Sequence, residues 1–134
     1  MASETWYSGI EATVFTQIQY MLKKKYPKLT CRTTSEVITP PQFPTLYLHE
    51  KQDEIGQDLT NETVNAVEST IYVRVWTNTT EAECREILAS ATQELKRFHY
   101  NVRNLPTTQI TDKIAFGEVM ARRVIGGGDR DIVR

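Results

Sequence analysis

The 134-residue sequence contains two histidines and two cysteines, so few groups are available for acid–base, nucleophilic or metal chemistry. His49 stands beside Glu50 in an alternating stretch. Adjacent side chains on a strand point to opposite faces, so these two cannot converge on one substrate. His99 sits next to Lys96 and Arg97, a poor setting for a metal cation. Cys31 and Cys84 are far apart and lack ligand-like spacing, which reads as two buried free thiols in a reducing compartment. Asp53, Glu54, Asp58 and Glu62 gather four carboxylates in one stretch, yet the glycine and terminal glutamate of a calcium loop are missing. They read as a solvated acidic loop. The glycines at 126–128 precede Asp129, but a phosphate loop needs a helix directly after it, and only five residues follow. Lys23, Lys24 and Lys25 fit the end of a helix better than a phosphate site. Arg103, Arg122 and Arg123 could form a basic patch, although 122 and 123 face opposite ways on a strand. No HExxH, CxxC, GxSxG or GxGxxG motif occurs. The expectation is a protein that is not an enzyme, with no cofactor and no metal.

Composition points the same way. Apolar residues make up 40% and charged residues 25%, with a formal net charge of −1, so no overall basic field draws nucleic acid. No apolar run approaches the roughly 18 residues of a membrane span. The first residues lack the basic-then-apolar pattern of a secretory signal, so the glycosylation sequons at Asn61 and Asn78 carry no information. The expectation is a soluble cytosolic single domain over residues 1–125 followed by a flexible tail, 126–134.

The elements that would position these groups follow from periodicity. Trp6, Ile10, Val14, Ile18, Met21 and Leu22 recur at spacings of three and four, which predicts a helix over 4–26 with Ser3 as its cap and Pro27 as its stop. Residues 29–37 are Thr-rich and alternate, a first strand with Leu29, Cys31 and Thr33 inward. Pro40, Pro41 and Pro44 then keep 38–44 out of any ladder interior. A second strand spans 45–51, and the polar stretch 52–66 is too long for a tight turn, so it reads as a protruding loop. In the third strand Val67, Ile71, Val73 and Val75 share one face, while Tyr72, Arg74 and Trp76 share the other. Thr80 and Glu83 form a capping-box signature for a second helix with Cys84, Leu88, Ala91, Leu95 and Phe98 on its buried stripe. Residues 101–112 read as a polar loop. A last strand, 113–125, changes phase near Gly117, which predicts a bulge.

The order α-β-β-β-α-β predicts an α+β fold: one mainly antiparallel sheet of about four strands with two amphipathic helices on one face. The other face would carry Tyr72 and Trp76 uncovered. Exposed apolar faces and strand edges are surfaces that proteins pair or cover, so the pattern implies assembly with other subunits.

Over nearly the whole chain this order resembles the tail terminator (tail-completion, tail-to-head joining) proteins of long-tailed bacteriophages. The resemblance rests on a long first helix, the entry "PQFPTLYLHE" into strand two, the polar loop leading to "STIYVRVWTN", the Ala-rich helix in "TTEAECREILASATQELKRF" and a last strand ending near "RRVIGGGD". It implies a structural virion protein that forms a hexameric ring on the head-proximal end of the tail tube. Such a ring stops tube polymerisation and offers a docking surface to the head connector. Its partners would be further copies of itself, the tail tube protein and the head-tail connector proteins. DNA would pass through the lumen without specific binding, no membrane would be involved, and assembly would take place in the host cytoplasm. Asp53, Glu54, Asp58 and Glu62 of the loop, Tyr72, Arg74 and Trp76 of the open face, and Gly126 and Asp129 of the tail are the expected contacts. Another head-tail adaptor or tube component, or a sheet-based nucleic-acid-binding module, are the alternatives.

Overall fold

The computed structural model describes residues 6–34, 40–55, 66–103 and 107–133. A short 3-10 turn, Trp6–Gly9, leads into helix α1, Ile10–Lys25. Strands β1 (Thr30–Thr33), β2 (Thr45–Ile55) and β3 (Ala66–Thr77) follow, then helix α2 (Glu81–Arg97). The chain closes with β4 (Asn101–Val102), β5 (Thr107–Thr111) and β6 (Ile114–Gly126). Among the described residues these six strands form one sheet in the order β1-β2-β3-β6-β4, with β5 also paired to β6. The architecture is α+β with a mixed, mainly antiparallel sheet.

Four differences from the sequence reading concern the sheet. Six strands are present where about four were expected, because the polar stretch 101–112 contributes β4 and β5, both pairing with β6. The pairing of β1 with β2 is parallel, Thr30 opposite Thr45 and Thr33 opposite Leu48, so the proline-rich connection carries the chain back to the starting end of the sheet. The strand predicted over 29–37 is confined to Thr30–Thr33 among the described residues, with Thr33 exposed rather than inward. Residues 52–55 and Ala66 belong to strands, so β2 and β3 pair from Thr45–Trp76 to Ile55–Ala66.

The side-chain period of two then assigns every position to a face. Leu46, Leu48, Val67, Ile71, Val73, Val75, Ala115, Val119, Ala121 and Ile125 form the helix-covered face and are buried. α2 packs on β3 and β6, and α1 packs on α2 and reaches β2. β6 keeps one unbroken register with β3, from Thr77–Ala115 to Ala66–Gly126, so Gly117 is not a bulge. Its apparent phase change arises because both faces of β6 carry apolar residues: Ala115, Gly117, Val119 and Ala121 under the helices, Ile114 and Phe116 on the other side. The small residues at 115, 117 and 121 leave room for α2.

The helix ends are set locally. α1 begins at Gly9 rather than at Ser3, which lies outside the described residues. Thr80 Oγ1 accepts the Glu83 N–H at 3.1 Å, the first half of the anticipated capping box. The Glu83 carboxylate accepts from Thr79 Oγ1 instead of returning to the cap. At the other end His99 takes a left-handed φ of 61°. The His99 N–H donates to Lys96 and the Tyr100 N–H to Leu95, the paired bonds of a Schellman turn with histidine where glycine is usual.

The segment after Gly126, expected to be flexible, is folded back onto the domain in this structure. Ile132 is fully buried within the main core cluster. The Ile132 and Val133 N–H groups both donate to the Asp129 carbonyl. Gly127 lies against Trp6, where an added Cβ would come within 3.3 Å of the indole. Ile132→Ala should therefore lower unfolding free energy by about 2–5 kcal/mol, as for other buried Ile truncations. Urea denaturation would measure this, and an unchanged midpoint would show the segment to be free.

Candidate assembly surface

The face of the sheet away from the helices carries Thr45, Tyr47, His49 and Lys51 on β2, Thr70, Tyr72, Arg74 and Trp76 on β3, and Phe116, Glu118, Met120 and Arg122 on β6. Register places Tyr47 opposite Arg74 and Trp76 opposite Phe116. The aromatic rings nonetheless close into a band: Tyr47 meets Trp76 edge-on at 5.2 Å between centroids, and Trp76 meets Phe116 at 4.6 Å. Trp76 is 5% exposed and Tyr47 7%. Contacts of this kind contribute about 0.5–1.5 kcal/mol each beyond area burial. His49 stacks on Tyr72 in the next row, 6.5 Å between centroids.

Arg74 lies between those rows. Its Nε donates to Glu118 Oε2 at 2.6 Å, and its guanidinium sits 5.6 Å from the Tyr72 ring centre. Its side chain is 13% exposed. Of the three open-face residues expected as contacts, Trp76 is an internal element of the band, Arg74 is tied to Glu118, and Tyr72 remains half-exposed. Asp53 and Glu54 are exposed at the end of β2. Asp58 and Glu62 lie outside the described residues. Gly126 ends β6 and its N–H donates to Asp129 Oδ2 at 2.9 Å, so this pair holds the C-terminal turn. The remaining exposed large apolar side chains include Val124 on this face and Ile55 at the end of β2.

Sequence reasoning missed a polar chain under the opposite face. Ser69 Oγ donates to Glu50 Oε2, and Ser69 stands 2.7 Å from the Tyr100 hydroxyl. Since the one serine proton goes to Glu50, Tyr100 is the donor to Ser69. Gln52 Nε2 donates to Glu50 Oε1 at 2.9 Å and to the Tyr7 carbonyl at 2.8 Å. Glu11 accepts the Glu50 backbone N–H at 2.9 Å, covering a donor on the free edge of β2. Nearby, Arg123 makes two parallel bonds to Asp131, at 2.8 and 2.9 Å, and donates to the Phe98 carbonyl. No sequence motif marks these residues; only the register of β2 on β3 and the Schellman turn bring Glu50, Ser69 and Tyr100 together.

Electrostatics describe this chain as a structural tie. Burial is the main cause raising the Glu50 carboxyl above its ordinary value, partly offset by the bonds from Ser69 and Gln52, with Glu11 adding to the rise. Burial likewise raises Tyr100, keeping its hydroxyl a donor. The bond from Arg123 holds Asp131 below the ordinary aspartate range. Cys31 and Cys84 are both pushed up to about 11, chiefly by burial, so neither is an activated thiol. Among the described residues no group of three His, Cys, Asp or Glu side chains is placed to hold a metal ion, and no helix is long and apolar enough to cross a membrane.

Because the folded chain holds the Glu50 proton more tightly than the unfolded chain, this group contributes stability at low pH. That contribution is lost as pH rises from the ordinary value of 4.5 through the raised folded value. Glu50→Gln removes the titrating group and should flatten the fall over that window, while its NH2 loses one of the two bonds that the carboxylate accepts from Ser69 and Gln52. Denaturant unfolding across pH 4–8 tests this, and identical pH profiles would refute it. No protein-family model and no curated protein matches this chain.

Proposed function

We propose that this chain is a structural virion subunit that assembles into a ring on the head-proximal end of a phage tail tube, ending tube growth and receiving the head connector. The observation that carries this reading is the one-sided cover of the sheet. Both helices lie on one face, while the other carries a packed aromatic band whose outer surface is made by the half-buried Tyr72, Phe116 and Met120 and by Arg74 paired with Glu118. A subunit that acts by occupying a growing end needs a preformed shape more than a reactive group. Locked side chains lose little entropy on docking, which favours binding by such a surface. The element order and the proline entry into β2 support the same reading through the resemblance to tail terminators. The expected ring is hexameric, and DNA would cross its lumen without specific contacts. The acidic stretch begun by Asp53 and Glu54 suits such a passage, since a repelling wall does not trap phosphates.

The assay is direct. Purified chain added to polymerising tail tubes should yield tubes of defined length with a ring at one end by negative-stain microscopy. Deletion of residues 54–62 should leave the unfolding transition in place while abolishing capping. Normal capping by that deletion would overturn the role given to this stretch. Uncapped tubes with intact protein would overturn the assignment itself.

A further inference from the structure

Arg103, Arg122 and Arg123, on which the sequence left a basic patch open, line one surface groove of about 470 Å³ together with His99, Asn101 and Glu68. Adjacent strand residues facing opposite ways still reach it because β4 is only two residues long, so β6 is nearly an edge there. Their states differ. Arg123 is held by Asp131, Asp129 and the Phe98 carbonyl and forms a wall. Arg122 has its Nε buried with no acceptor among the described residues. Arg103 is exposed, and among the described residues only its backbone N–H is bonded, to the Met120 carbonyl. Arg103 and Arg122 both line the groove, and a carboxylate entering it would make charge-assisted hydrogen bonds with their guanidinium groups.

Asp53 and Glu54 are the counterpart, exposed carboxylates at the end of β2. Asp53 pairs with Glu68, and Glu68 with Val124, so Asp53 lies on the same face and at the same end of the sheet as Arg122. They sit on opposite flanks, with β3 between them, about two strand spacings or roughly 10 Å apart. Glu68 also intervenes. Direct pairing within one copy is therefore excluded, whereas pairing between copies is not. Among the described residues β1 pairs with β2 only at Thr45–Leu48, so no strand flanks Asp53 on that side. Complementary features at one height on opposite flanks are brought together by rotation about an axis roughly along the strands. Repeated head-to-tail contacts of this kind close into rings.

We infer that the Arg103–Arg122 groove receives the Asp53 carboxylate of a second copy of this chain, with Glu54 on the other strand face adding negative charge at the same edge, forming the lateral contact of the ring. This rests on the ring reading above and adds the contact that builds it. A near-neutral chain with Glu68 in the groove wall favours a discrete carboxylate over the extended phosphate track of a nucleic acid.

Sedimentation at low salt should show wild-type self-association that weakens as salt rises. Arg103→Glu with Arg122→Glu, and separately Asp53→Lys with Glu54→Lys, should each weaken it by about tenfold or more. An equimolar mixture of the two double variants should restore it, because each then offers the other a matched contact. Circular dichroism checks that both remain folded, and Arg103→Ala with Arg122→Ala gives a milder variant. A wild type that stays monomeric, association insensitive to either reversal, or no recovery in the mixture overturns the inference. So does arginine-dependent binding of a duplex DNA fragment without any effect on self-association. The two readings fail separately: tubes capped normally by the Arg103→Glu, Arg122→Glu chain would leave the ring standing and remove this contact from it, whereas tubes left uncapped by intact wild type remove the ring itself.

Discussion

The central strand Ala66–Thr77 is buried all along its helix side and, at Thr70 and Trp76, on the other face as well, although helices cover only one of the two. That imbalance governs the rest of the molecule. On the helix side ordinary aliphatic packing suffices, with Val67, Ile71, Val73 and Val75 under α2. On the other side the sheet has to shield itself, and it does so with flat side chains laid across neighbouring strands. Trp76 fills the space between Tyr47 and Phe116, and Arg74 bridges to Glu118. Large planar groups suit this task because they cover area while losing few rotatable bonds.

Polar groups beneath the helices follow from the same geometry. β2 continues past β1, so its later residues lack a strand neighbour on one side. An edge left in this state invites pairing with stray chains. Glu11 occupies the Glu50 N–H, and Gln52 ties the edge to the turn before α1. Glu50 itself is then drawn inward, where Ser69 and Tyr100 satisfy it. The charged residues Lys51, Asp53 and Glu54 on the remaining exposed stretch complete the protection against unselective pairing.

Legibility in the sequence tracked the range of the interaction involved. The helix-facing side of β3, the stripe of α2 and the Thr80 cap were readable because each depends on residues a few positions apart. The parallel pairing of β1 was not, since strand direction depends on the path of residues 34–44 rather than on their composition. β4 and β5 escaped notice because "NV" and "TTQIT" are short and polar, and become strands only through β6. Gly117 misled for a different reason: apolar residues on both faces of β6 imitate a change of phase. At the candidate surface, residue types on the open face were legible, but their locking was not, because Trp76 and Arg74 are fixed by partners on other strands far away in sequence. The polar tie at Glu50 was invisible for the same reason, whereas a patch of Arg103, Arg122 and Arg123 was an open reading that the pairing of β4 with β6 brings together.

β6 sits beside the central strand and yet is the last strand made, with the core residue Ile132 later still. A ribosome must therefore release the chain through β6 and Ile132 before the middle of the sheet can close. Contacts this distant in sequence slow folding. During synthesis β3 lacks its second neighbour, leaving a sticky unfinished half-sheet whose survival falls to chaperones or to rapid completion once β6 emerges.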